Sequence, residues 1–168
     1  MGITFVTALG RLRLTWTAEG ICSLRFVDSL DREEARQAPL WVLEAVRRIT
    51  AHLAGKPQAL ADIPLDLADL TPFQRRVAEV LRATVPGQTI SYGEVALLAG
   101  RPGAARAVGQ AVKANPILVL IPCHRVVSAQ GPGGWSAFGS PERKTRLLAL
   151  ELSWEIRKRR AGPGEAAT

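Results

Sequence analysis

Ile117-Leu118-Val119-Leu120-Ile121-Pro122-Cys123-His124-Arg125-Val126-Val127, residues 117–127, is an apolar run that ends on one thiol and one imidazole. Five consecutive β-branched or leucine residues are more than a solvent-facing strand needs, so 117–121 is predicted to be a buried strand, with Pro122 stopping regular pairing just before the cysteine. Cys123 is accordingly expected at the mouth of a pocket. A free cysteine in an apolar run ordinarily packs as a small hydrophobe. His124 and Arg125 argue for more, because two polar, potentially cationic neighbours favour thiolate over thiol. On an extended chain successive side chains point to opposite faces, so His124 reaches the Cys123 proton only through a bent backbone or a bridging water.

The 168 residues make one large domain or two small ones, long enough to bury a core. No cationic start precedes an apolar leader, and no apolar stretch approaches a membrane span; no membrane association and a cytoplasmic location are expected. Two cysteines, Cys22 and Cys123, and two histidines, His52 and His124, are too few and too scattered for a metal site or a disulfide framework, and nothing calls for a cofactor. Cys22 is expected to pack, and His52 to lie at the surface or at a helix end. The net charge of +7 is uneven. Residues 1–70 hold eight Lys/Arg against nine Asp/Glu, whereas 71–168 hold fourteen against six. The basic half is the one that carries Cys123, and such a bias points to a polyanion, nucleic acid first.

Leu12, Leu14 and Trp16 alternate onto one face, Glu19-Gly20 turns the chain, and Ile21 to Val27 returns, which is a hairpin; Ile3 to Ala8 can add a third strand. Asp28 to Arg36 is a charged loop. Leu43, Val46, Ile49 and Leu53 recur at helical spacing before Gly55 and Pro57, so one amphipathic helix should cover the sheet. Ile63 to Leu67, interrupted by Pro64, is an edge strand or connector. Nothing in residues 1–70 looks chemical, and they are assigned as a scaffold.

Thr71, Pro72 and Gln74 form a helix start with a capping box, and Phe73, Val77, Val80 and Leu81 supply its buried stripe. After Pro86-Gly87, Ser91 and Glu94 repeat the capping-box pattern for a short helix through Val95, Leu97 and Leu98 that Gly100 terminates; Ala104 to Ala114 is the next helix. Two short helices joined by a tight Gly/Pro turn suggest helix-turn-helix. Ala104, Ala105, Ala107, Gly109 and Ala111 leave a nearly bare surface, flanked by Arg106 and Lys113. Such a surface suits either close approach to a ligand backbone or close helix packing. Asn115-Pro116 then turns the chain into the apolar run. Beyond Val127, a Gly-rich loop around Trp135 and Phe138 leads to a helix from Ser140-Pro141 that packs through Leu147, Leu148 and Leu150. Glu151 can face inward and would need a partner such as His124. Residues 157–168 are expected to be a basic, flexible tail.

Pro122-Cys123-His124-Arg125-Val126 resembles the active-site signature of the O6-alkylguanine-DNA alkyltransferases, the methylated-DNA-protein-cysteine methyltransferases. Ser91-Tyr92-Gly93-Glu94, Ala105-Arg106-Ala107-Val108-Gly109, Asn115-Pro116, and Lys144 with Leu147-Leu148-Ala149-Leu150-Glu151 look like further motifs of that family, in order, over residues 71–151. The resemblance implies an α/β N-terminal domain (1–70, small antiparallel sheet plus helix, ribonuclease-H-like) and a mostly α, winged helix-turn-helix-like C-terminal domain (71–156). It implies a monomer that enters the minor groove of double-stranded DNA and flips an O6-alkylguanine into a pocket, where Cys123 takes the alkyl group once.

Residue by residue, the resemblance makes Cys123, His124, Glu151, Asn115 and Tyr92 catalytic. His124, held by Glu151, would work through a water, and Tyr92 would donate to guanine N3. Arg106 would fill the space of the flipped base, with Ala105, Ala107, Gly109, Tyr92 and Arg125 also at the DNA. Val126, Trp135, Ser136 and Lys144 would shape the pocket, with Phe138 as Trp135's rival for its wall. Departures are a longer spacer before Lys144 and Gln110 where some relatives have a second glycine. The rivals are a lesion-binding module without transfer, which the cysteine at 123 disfavours, and a Cys-His hydrolase, which lacks a separated triad.

Overall fold

A computed structural model describes residues 1–28, 38–129, 131 and 140–161. Strands β1 (Gly2–Thr7), β2 (Gly10–Trp16) and β3 (Ile21–Phe26) form an antiparallel meander in the order β1-β2-β3. Leu14 pairs with Ile3 on one side and Leu24 on the other, so the alternating Leu12, Leu14 and Trp16 point together into the core. The β2–β3 turn ends at Gly20, where a Cβ would stand 2.7 Å from the Pro64 carbonyl. That clearance lets the connector dock: Ile21 N–H donates to Pro64 and Asp66 N–H to Ile21.

Helix α1 (Leu40–Leu53) packs beside the sheet with the expected Ile49 and Leu53 buried and Val46 half-buried. Its buried stripe is Val42, Ala45, Ile49, His52 and Leu53, while Leu43 is exposed. The expected loop over 28–36 lies almost wholly outside the described residues. Helix α2 (Pro72–Arg82) starts on the predicted capping box, with Thr71 and Gln74 exchanging bonds of 2.8 and 3.3 Å. Ser91 and Glu94 do the same, at 2.8 and 3.2 Å, for α3 (Tyr92–Leu98). Each such cap is worth about 1 kcal/mol and fixes where its helix begins. In α3 the buried residues are Val95 and Ala96; Leu97 and Leu98 face outward. Helix α4 (Ala105–Lys113) follows across the 99–104 turn and packs on α2 and α3.

The predicted strand over 117–121 is a buried turn. Its residues are as apolar and inaccessible as expected, but only Ile117 pairs with a strand, in a single parallel bridge to Leu24. Val119 has φ +71 beneath a bond from Leu120 N–H to the Leu118 carbonyl, a tight turn that a β-branched residue adopts only when its surroundings impose it. A bond from Ile121 N–H to the Ile117 carbonyl closes the loop. A second tight turn follows at Pro122 (φ −78, ψ 62), with Cys123 N–H on the Ile121 carbonyl at 2.7 Å.

Cys123–Arg125 is one turn of 3-10 helix, and β5 (Val126–Val127) then pairs in parallel with β4 (Ile90–Ser91). Helix α5 runs Pro141–Ala161, so Arg157 to Arg160, expected in a flexible tail, are helical, with Arg159 paired to Glu155 at 3.1 Å. Its first turns are tied to the sheet through Arg143, which lies 4.4 Å over the Phe26 ring and donates to the Leu9 carbonyl. One apolar core runs from Leu12 and Leu24 through Ile117 to Val108 and Leu147, across both halves of the chain. Among the described residues no helix is long and apolar enough to cross a membrane.

Candidate active site

Asn115 closes α4 and organises the thiol. Its Oδ1 accepts from Ile117 N–H at 3.0 Å, and its Nδ2 donates at 3.0 Å to both the Ile121 carbonyl and Cys123 Sγ. One carboxamide therefore folds the apolar turn over and aims the sulfur. This is why an apolar run that reads as a strand is not one: a polar group two residues upstream of it takes its backbone bonds.

Cys123 is wholly buried rather than at a pocket mouth, and burial pushes its thiol up to about 12, against smaller opposing effects of the Asn115 donor and the Lys144 charge. The expected help from His124 and Arg125 does not reach the sulfur, because both side chains turn to Glu151. The cation that acts on the thiol belongs to α5. Lys144 is buried, donates to the Val126 carbonyl at 2.8 Å, and is brought down to about 8 by burial, partly offset by Cys123.

Glu151 is the hub. His124 Nε2 lies 2.9 Å from its Oε1, while Arg125 donates through Nη2 to Oε1 and through Nε to Oε2, both at 2.9 Å. Gly87 N–H reaches Oε2 at 3.3 Å, and Gly87 holds φ +87 against α5, where a Cβ would come within 3.0 Å of Glu155. Burial alone would raise this carboxyl, but the bonds from His124 and Arg125, with the His52 ring nearby, outweigh it and hold it well below the usual carboxylate range. Because an ionised carboxylate only accepts, His124 carries its proton on Nε2, and Nδ1 is its basic nitrogen. Burial lowers the His124 imidazole and Glu151 pulls it back up.

Arg125, expected at the DNA, is therefore a buried structural cation: it is 6% exposed, and its Nη1 is spent on Thr84 at 2.7 and 2.9 Å. His52, expected at the surface or at a helix end, is in the last turn of α1 but 2% exposed; it lies 3.8 Å from Glu151 Oε1 and stacks edge-on against Trp154 at 4.7 Å. Neither burial was visible in the sequence, because the stripe of α5 that receives them is itself half polar: Lys144, Leu147, Glu151 and Trp154 recur at helical spacing and are all buried.

On α4, Arg106, Gln110 and Lys113 share an exposed face, flanked by the half-buried Ala105, Ala107 and Gly109. A Cβ at Gly109 would meet only Tyr92 Cε1, at 3.9 Å, so internal packing does not demand glycine there. Tyr92, the first residue of α3, is half-buried beside this face. Val126 is buried on β5, while Trp135, Ser136 and Phe138 lie outside the described residues.

The family model for the DNA binding domain of 6-O-methylguanine DNA methyltransferase matches residues 72–153. A methylated-DNA–protein-cysteine methyltransferase of Mycolicibacterium paratuberculosis is 41% identical over 152 residues, covering 88% of this chain and 90% of that protein. The crystal structure of the Mycobacterium tuberculosis O6-methylguanine methyltransferase superimposes with a TM-score of 0.75 at 36% identity, covering 90% of this chain and 92% of that one. The structure of the Mycobacterium tuberculosis OGT in complex with DNA gives 0.77 at 37% identity over 90% of this chain and 93% of that one.

Proposed function

The chain belongs to the methylated-DNA–protein-cysteine methyltransferases, and from that membership we propose that it repairs DNA by direct reversal, moving a methyl or small alkyl group from guanine O6 to Cys123 once per molecule. The observation that carries this is the buried line from Asn115 to Cys123 and from His124 to Glu151, set against an exposed cationic helix.

The chemistry follows from the positions. In the DNA-free protein a thiol pushed up to about 12 by burial stays protonated at neutral pH. The proton therefore leaves as the sulfur attacks, passing through a water to His124 Nδ1 while Glu151 stabilises the imidazolium. The S–C bond forms, the C–O6 bond breaks, and the electron pair stays on guanine, which is reprotonated; Lys144 offsets charge on sulfur as it develops. A site that keeps its thiol neutral until a base arrives also spares it from oxidation.

For recognition, α3 and α4 act as the reading part of a winged helix-turn-helix that enters the minor groove of duplex DNA. The bare face at Ala105, Ala107 and Gly109 approaches the backbone, Arg106 takes the place of the flipped base, and Tyr92 donates to guanine N3. The unforced glycine at 109 and the outward Arg106 support this. Val126 and Lys144 are assigned to the pocket, and thymine O4 is a candidate second substrate. Residues 1–70 serve as a ribonuclease-H-like scaffold, and the protein works as a monomer in the cytoplasm, at the nucleoid in a bacterium.

The test is incubation with a duplex oligonucleotide containing O6-methylguanine, followed by mass spectrometry. One added methyl on the Cys123 peptide is expected. Tight binding with no mass gain would leave a lesion-recognition module and overturn transfer.

A further inference from the structure

His52 stands outside every motif that carries the proposed chemistry, yet it reaches the hub from the other half of the chain. It sits on the last turn of α1, 2% exposed, where a helix-end histidine would ordinarily be solvated. Its Nδ1 accepts the backbone N–H of Gln58 at 3.3 Å. A backbone amide can only donate, so Nδ1 carries no proton, and the neutral ring holds its hydrogen on Nε2. That N–H faces Glu151 Oε1 at 3.8 Å, longer than a hydrogen bond but within strong electrostatic reach in a site from which water is excluded. The ring plane is set by Trp154, whose indole N–H is anchored on the Gly55 carbonyl at 3.1 Å.

The groups around His52 are Glu151 and Trp154 from α5, His124 and Arg125 from the 3-10 turn, and Arg82 of α2. Arg82 lines, with His52, Thr84, Pro122 and Arg125, a cavity of about 350 Å³. Among the described residues no acidic side chain lines that cavity and Glu151 is the carboxylate of this group, which His52 and His124 both address at the same oxygen.

Resting on the alkyl-transfer function proposed above, we infer that His52 is a positioning residue for the reaction: its Nε2–H shares Glu151 Oε1 with His124 and limits how much of the carboxylate's charge the catalytic imidazole receives. A donor withdrawn from Oε1 leaves more charge for His124, which then holds a proton to higher pH and is less available as a base on the acid side.

The experiment is single-turnover methyl transfer followed across pH for wild type, His52→Phe and His52→Gln. Phenylalanine keeps the ring against Trp154 but has no donor; glutamine keeps a donor and gives up the ring. In His52→Phe the midpoint of the acid limb should move up by about half a pH unit, roughly threefold slower at fixed pH on that limb, while His52→Gln stays close to wild type. A purely structural role would lower stability and leave the midpoint in place. A folded His52→Phe whose profile coincides with wild type, or a His52→Gln displaced as far as His52→Phe, overturns the inference. Should His52→Phe fail to melt cooperatively, the nitrogen-15 spectrum of wild-type His52 decides, a ring proton on Nε2 supporting the inference and one on Nδ1 overturning it. Absence of any transfer by folded wild type would strike the proposed function itself and not the role of His52.

Discussion

Glu151→Gln should be among the most costly single changes in the protein. The carboxylate is 0% exposed and neutralises Arg125, itself 6% exposed, through two bonds of 2.9 Å. Glutamine keeps the shape, but it removes the charge and turns an NH2 group towards His124 or Arg125, so a guanidinium is left buried without a counter-ion. Breaking one side of a buried pair costs about 3–5 kcal/mol, a large share of the 5–15 kcal/mol that holds a typical domain together. For a chain of this length that is a melting point lower by roughly 10 °C.

The pH dependence follows from the same carboxylate. Its folded pKa lies below the unfolded value of 4.5, so its contribution is present above that value and lost as pH falls through the folded one. His124, lowered from 6.5, adds to the same trend, since a buried neutral ring must be charged as pH drops below the unfolded value. Wild type should therefore lose stability steadily on acidification, and Glu151→Gln should start lower and lose less below about pH 4.5. Urea unfolding across pH measures both. A variant within about 1 kcal/mol of wild type at neutral pH would refute the claim that this carboxylate holds the site together.

Asn115→Ala removes the donor on Sγ and two backbone partners of the 117–121 turn; about 2 kcal/mol of stability and at least tenfold in transfer rate should go together, read by urea unfolding and quenched-flow transfer. Arg106→Ala, at an exposed position, should leave stability within about 0.5 kcal/mol of wild type while slowing repair of duplex far more than of free O6-methylguanine. Lys144→Met keeps the length but withdraws the charge beside Cys123, so below about pH 8, where Lys144 is charged, the thiol should react more slowly with iodoacetamide, an equal rate there counting against any electrostatic role for Lys144.

How much of this was legible in the sequence depends on where each instruction is written. Helix starts at Thr71 and Ser91 were readable because a capping box is local, two side chains three residues apart serving each other's backbone. The Leu12, Leu14, Trp16 face was readable because β2 buries one side only. The run from Ile117 to Ile121 reads as a strand because burial and strand give the same apolar signature, and the decision between them rests with Asn115 and a strained Val119. The burial of Arg125 and His52 is not legible, because a charged or polar residue announces solvent unless its buried partner is known, and that partner, Glu151, is 26 residues away in one case and on another half of the chain in the other. The pairing of Glu151 with His124 was anticipated; its role as anchor for Arg125, Gly87 and His52 was not.

The buried stripe of α5 also bears on the order of synthesis. Every group that Lys144, Glu151 and Trp154 grip, from Gly55 and Gly87 to Val126, leaves the ribosome before they do. A nascent chain already holding Asn115 and Cys123 thus has its nucleophile but neither the anchor of its base nor the cation beside its sulfur. A reagent that is spent once is thereby kept unarmed until α5 has been made.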